Sequence, residues 1–162
     1  MNDNKFTFYH PNGKCTGAAI RFAVSPATED RDGAVLFTIA RQNALANHET
    51  ATPAGFDWLG GTTVKLSPLE AAEILMVFGG QLPSLVHAGK DGLFHNTPQA
   101  TTSVQLKRSE DYTRPGFLLG VGRTPKADPT ARTYRTFAFT PAEAYLLRAA
   151  IKAKMGELVF GA

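Results

Sequence analysis

Cysteine is almost absent: Cys15 is the sole one in 162 residues. No disulfide can form within such a chain, and a reducing cytoplasm is its expected home. No His–Asn partner pattern accompanies Cys15, which reads as a small packing residue rather than a catalytic thiol. Long apolar runs are missing too. None approaches the roughly 20 residues that a membrane-spanning helix needs, so no membrane association is expected. The opening MNDNKFTFYH has neither the basic-then-apolar pattern of a secretory leader nor the Arg/Ser-rich, acid-poor look of a transit peptide. His10, His48, His87 and His95 show no ligand spacing such as H-x-x-x-H, so no metal and no cofactor are expected. There is no glycine-rich phosphate loop after a strand and no G-x-S-x-G. Asp57, Glu70 and Glu143 already have turn or capping duties, which leaves no set of acids for catalysis, and the expectation is a protein that is not an enzyme.

The net charge of +3 is modest but unevenly placed. Residues 1–81 carry six Lys/Arg and eight Asp/Glu (6 − 8 = −2), whereas residues 82–162 carry eleven and six (11 − 6 = +5). A basic half points to a polyanion or an acidic partner.

The most structured stretch of the sequence is Phe56 to Phe78, FDWLGGTTVKLSPLEAAEILMVF. An aromatic pair brackets an acid (Phe56, Asp57, Trp58), Gly60-Gly61 makes a turn, and a short alternating strand feeds a helix start at Ser67-Pro68-Leu69-Glu70. Serine accepts early amide bonds, proline at the first helical position loses no needed donor, and Glu70 reaches back to the serine amide. The same grammar returns at Thr140-Pro141-Ala142-Glu143, 140 − 67 = 73 residues later and close to half the chain. That spacing predicts a duplicated unit, the first over about residues 5–80 and the second over about 83–162, within one domain.

Between these signals the chain reads as strands. Alternation predicts them at Lys5–His10, Thr16–Val24 and Thr62–Leu66, and Ala34–Arg41 reads as a strand apolar enough to be covered on both faces, with a helix at Pro68–Phe78. Residues 42–55 read as a loop. The second unit is predicted at Ser84–Ala88, a turn at Lys90-Asp91-Gly92, then Leu93–His95, Ala100–Lys107, Phe117–Gly122 and Tyr134–Phe139, with a helix from Pro141 to about Met155. The apolar tail Leu158-Val159-Phe160 is expected to pack on the core or on another subunit. Hairpin-like turns imply antiparallel sheets, so the fold class is α+β: two ββββα repeats forming two sheets packed with two helices.

On these residues the chain resembles the Whirly family of single-stranded-DNA-binding proteins. The family's signature is aromatic-Asp-Trp, a spacer, a strand, then Leu-Ser, two residues and Glu. Here it is matched by Phe56-Asp57-Trp58, Val64, Leu66-Ser67 and Glu70. The aromatic-aromatic-His motif is similar to Leu93-Phe94-His95, and a terminal Leu-x-x-Gly is similar to Leu158-Val159-Phe160-Gly161. The early Lys-Gly-Lys-Ala-Ala-Leu of plant members is replaced by Cys15-Thr16-Gly17-Ala18-Ala19-Ile20, which departs from the pattern linked to larger particles. The resemblance implies a Whirly-like fold, a homotetramer, and single-stranded DNA bound with little sequence preference in protection, repair or transcription. It points to a bacterial or phage member.

Such binding needs flat rings for bases and cations for phosphates. Trp58 and, more weakly, Phe56 are the stacking candidates. Lys14, Arg21, Lys65, Lys107 and Arg108 are the first phosphate-contact set. Arg123 and Arg135, with Lys126 and Arg132, form a second set around a loop. Asp57 is expected to hold its turn through side-chain to backbone bonds. Phe22, Phe37, Phe94 and Tyr134 are further candidates for stacking platforms, but they lie on alternating strands, where an aromatic belongs more often to the core. The alternative readings are a protein-interaction or structural oligomer that meets an acidic protein, and an RNA-binding module.

Overall fold

The computed structural model describes residues 5–161; residues 1–4 and 162, the ends of the expected span, lie outside the described residues. Period-2 patterning dominates the first part of the chain. Strands β1 (Lys5–His10), β2 (Ala18–Ser25), β3 (Ala34–Ala44) and β5 (Thr62–Leu66) pair antiparallel in the order β1-β2-β3-β5. A two-residue strand β4 (Gly55–Phe56) joins the far end of β3 across a register shift. Ile20, Phe22, Val35, Phe37, Ile39, Val64 and Leu66 point inward and are buried. The alternate residues form an outer face.

Helix α1 (Pro68–Phe78) begins as its signal predicts. The Glu70 amide donates to Ser67 Oγ at 3.2 Å, and the Ser67 amide donates to Glu70 Oε2 at 2.8 Å. It ends in a Schellman motif: the Gly80 amide reaches the Val77 carbonyl and the Gln81 amide reaches Met76. Gly80 takes the left-handed conformation that this closure demands, with φ of 80°.

The second sheet repeats the plan. Strands β8 (Leu93–Asn96), β9 (Ala100–Arg108), β10 (Phe117–Pro125) and β11 (Thr133–Phe139) run antiparallel in the order β8-β9-β10-β11 and lead into helix α2 (Pro141–Phe160), capped by Thr140 and Glu143. The expected Ser84–Ala88 strand is instead a short separate hairpin of β6 (Val86–His87) and β7 (Lys90–Asp91). Its turn lies at Ala88-Gly89, both at positive φ, and not at Lys90–Gly92. Before it the chain hooks onto β9, with the Leu85 amide bonded to Leu106 O and the Arg108 amide to Pro83 O.

Helix α2 runs five residues beyond the expected Met155 (160 − 155 = 5). Gly156 reads as a stop, but tertiary bonds carry the helix on. The Ala27 amide donates to Glu157 O at 2.9 Å and the Gly33 amide to Leu158 O at 3.2 Å, which supplies donors to carbonyls that a helix end leaves unpaired. A Cβ at position 33 would lie 2.4 Å from that Leu158 oxygen, so only glycine fits.

Both sheets and both helices contribute to a single core cluster. Each helix crosses the halves: α1 packs on α2 and on β9, and α2 packs on β2 and β11. Rings bridge the sheets as well, with Phe22 and Phe139 centroids 6.3 Å apart. Among the described residues no helix is long and apolar enough to cross a membrane.

Candidate nucleic-acid interface

The outer face of the first sheet is read in rows from the strand register. Tyr9, Ala19 and Ala40 share one row, Thr7, Arg21, Thr38 and Thr63 the next, and Lys5, Ala23, Leu36 and Lys65 the third. Three rings gather at the first row. Tyr9, 53% exposed, lies 5.5 Å from Phe56 and meets Trp58 edge-on at 6.5 Å. Trp58 is half-buried, and the Arg21 guanidinium lies 4.0 Å from its ring centre. The indole is therefore not the bare platform that the sequence suggested: a cation covers one face of it. Arg21 is steadied further by Thr7 Oγ1, which accepts from its Nε at 3.4 Å. The turn beneath is held as expected, with Asp57 Oδ1 accepting from the Gly60 amide at 2.9 Å.

Two arginines clasp the sheets together. Arg135, from β11, donates to Gly60 O at 3.0 Å and to Thr62 Oγ1 at 3.3 Å. Arg41, from β3, reaches back to the Tyr134 carbonyl at 3.5 Å. Burial and the nearby Arg41 charge lower the Arg135 pKa against the opposing pull of Asp57. Arg135 thus joins two backbones at a sheet edge, a part that sequence reading did not give it. Arg41 was missed altogether, since it lies at the end of a buried strand and its partner is 93 residues away.

Three of the four histidines also have carboxylate partners. His95 Nε2 lies 2.8 Å from Glu70 Oε1, and His10 Nε2 lies 2.8 Å from Glu143 Oε2. The histidine of each half therefore holds the capping glutamate of the other half's helix. His87 Nδ1 meets Glu73 at 2.7 Å. These bonds occupy three glutamates. Among the described residues none of the nine arginines forms an ion pair with a carboxylate.

The remaining candidates are scattered. Lys14 is exposed on the β1–β2 loop, which Gln42 pins by accepting from the Asn12 and Gly17 amides at 2.9 and 3.2 Å. Lys65 lies on the first sheet's outer face with Arg21, whereas Lys107 lies on the outer face of the second sheet. Arg108 is exposed at the end of β9 near Gly80, and Arg123 is half-buried late in β10. The structure thus groups Arg21, Phe56 and Trp58 with Tyr9, leaves Lys65 two rows away on the same face, and distributes the others. Phe22 and Phe37 are core, but Phe94 and Tyr134 are 56% and 51% exposed. Neither outer face carries a carboxylate on its long strands.

The chain matches no family model, and no curated protein is similar to it in sequence. Solved structures do share its fold. It is similar to WHY1 of Arabidopsis thaliana, with TM-score 0.72 and 15% identity over 96% of this chain and 85% of that one. It is similar to WHY3 of the same plant, again at 0.72 and 15%, over 97% and 89%. It is also similar to trypanosome MRP1/MRP2, with TM-score 0.63 and 17% identity over 97% and 94%. The fold is therefore Whirly-like, an α+β arrangement of two antiparallel sheets and two helices. These neighbours come from a plant and a trypanosome and lend no support to a bacterial or phage source.

Proposed function

We propose that this chain binds single-stranded nucleic acid, DNA foremost, with little sequence preference. The observation that carries the reading is the outer face of the first sheet, where Tyr9, Phe56 and Trp58 cluster beside Arg21, Lys65 stands farther along the same face, and no carboxylate stands on the strands. A strand laid there finds ring and guanidinium planes for its bases and cations for its phosphates. Arg21 on Trp58 forms a composite plane, and a base stacks on the guanidinium or on the exposed ring of Tyr9. Among the described residues no arginine is ion-paired with a carboxylate, so binding phosphate there breaks no such pair. The resemblance to the Whirly family and the shared fold support the same reading.

The protein acts on the strand by holding it, without chemistry, in protection, repair or transcription within the cytoplasm. It assembles as a homotetramer. The surface offered for assembly is the outer side of α2, where Ala142, Leu146, Ala149, Ala153 and Phe160 are all exposed. They recur at helical spacing, and the small residues in the middle let a second backbone approach closely.

Fluorescence-anisotropy titration with single-stranded DNA, RNA and duplex DNA of one sequence tests the reading. Tight binding of the single strands and weak binding of the duplex is expected. Equal affinity for duplex would assign the cations to non-specific polyanion contact and remove the rings from the account.

A further inference from the structure

Tyr134 stands on the outer face of the second sheet, remote in sequence from the Phe56–Trp58 cluster, and its ring reaches over the neighbouring strand. A Cβ built on Gly120 would fall 2.3 Å from Tyr134 Oη and 3.0 Å from its Cζ, and one on Gly122 would fall 3.7 Å from its Cδ2. Two outward glycines at alternate positions of β10 thus leave a strip free of side chains, and the ring covers it. The Cδ2–Cε2–Oη side of the ring approaches these glycines, and 51% of Tyr134 remains exposed.

We propose that Tyr134 is a base-stacking platform and that, with Phe94, Arg132 and Lys107, it makes this face a second track for an unpaired strand. The proposal rests on the reading of the chain as a single-strand binder. Phe94, Ser103, Gly122 and Tyr134 share one register row. Three inter-strand steps separate the two rings, about 14 Å. Between them the strands contribute a serine and a glycine. The Arg132 guanidinium reaches over that glycine, its Nη2 being 3.9 Å from the Cβ position of Gly122. Lys107 extends from the same face, two residues along β10 from Gly120, opposite Leu118. The ring is already immobilised by folding, so a base that stacks on it does not have to order it.

A plainer account makes Tyr134 a cover for two strand-weakening glycines. That account explains the tyrosine. It does not explain why Phe94 stays exposed at the other end of the row, nor why a face carrying Arg132 and Lys107 has no acid.

The test is anisotropy titration of a labelled oligothymidylate with the full chain, its Tyr134→Leu variant and its Trp58→Leu variant, over a salt series. Leucine still covers the glycines, and circular dichroism checks the fold. Tyr134→Leu is expected to weaken binding about five- to 150-fold, the loss of one stacked base, with an unchanged salt slope. Arg132→Gln should instead reduce the magnitude of the log–log slope by about 0.7. Wild-type affinity in Tyr134→Leu, with Trp58→Leu weakened, would overturn the second track and leave the single-strand reading standing. No binding by the unaltered chain would overturn both. Should Tyr134→Leu fail to fold, Phe94→Leu carries the same expectation and the same contrary result.

Discussion

Arg21 and Trp58 hold each other in place: the guanidinium lies 4.0 Å from the ring centre, a cation–π contact of about 0.5–1 kcal/mol at such exposure. Removing the indole therefore frees the cation as well. Trp58→Ala is expected to weaken oligonucleotide binding by about 1–3 kcal/mol in anisotropy titration while the fold persists. Unchanged affinity would take Trp58 out of the site. A different residue governs acid stability. Burial works to raise the Glu70 pKa, but the Ser67 amide, the His95 hydrogen bond and charge and the Ser67 hydroxyl together hold it below its ordinary value of 4.5. A carboxyl whose pKa is depressed on folding favours the native state while it is ionised. That contribution is complete above about pH 4.5 and is lost as pH falls through the lower folded value. Thermal melts should therefore show Glu70→Gln less stable than wild type at neutral pH, with the gap closing below pH 4.5. A gap that is constant with pH would contradict this role.

At the scale of elements, the part of the fold legible in the sequence is the part fixed locally. The bounds of α1 follow from Ser67, Pro68, Glu70 and the Gly79-Gly80 pair, all within reach of the backbone they cap. Strands β1, β2, β9 and β11 announce themselves by alternation, and β3 by its apolar run. What depends on distant partners was not legible. The last turn and more of α2 exists because Ala27 and Gly33 cap it from more than a hundred residues away. The Leu85 segment takes its course from β9. Phe94 and Tyr134 alternate like core residues, and only the register shows that they share the outer face. Arg135 reads as one basic residue among several until the sheets pack and bring Gly60 to it. The end of α2 offers a direct check. Leu158, 1% exposed, should cost about 2–5 kcal/mol on truncation to alanine, as measured by chemical denaturation. Phe160, 89% exposed, should change the stability of an isolated subunit by under about 0.5 kcal/mol. Equal losses at both positions would show that the helix end is not anchored by Leu158 alone.

For the molecule as a whole, two crossed halves bury one core and present two sheet faces whose long strands carry cations and no carboxylate, while α2 keeps an apolar stripe outside. The stripe is the surface on which the proposed tetramer rests. Light scattering of the intact protein should report four subunits, and Leu146→Glu should dissociate them; a well-behaved monomer would contradict the assembly. The central claim is that unpaired strands are bound by rings and cations acting together. The most direct measurement is the affinity for one single-stranded DNA sequence across a salt series, set beside its duplex. The account predicts preference for the single strand and a log–log slope of about −0.7 for every phosphate contacted. A flat salt dependence, or a duplex bound as tightly as the single strand, would contradict it.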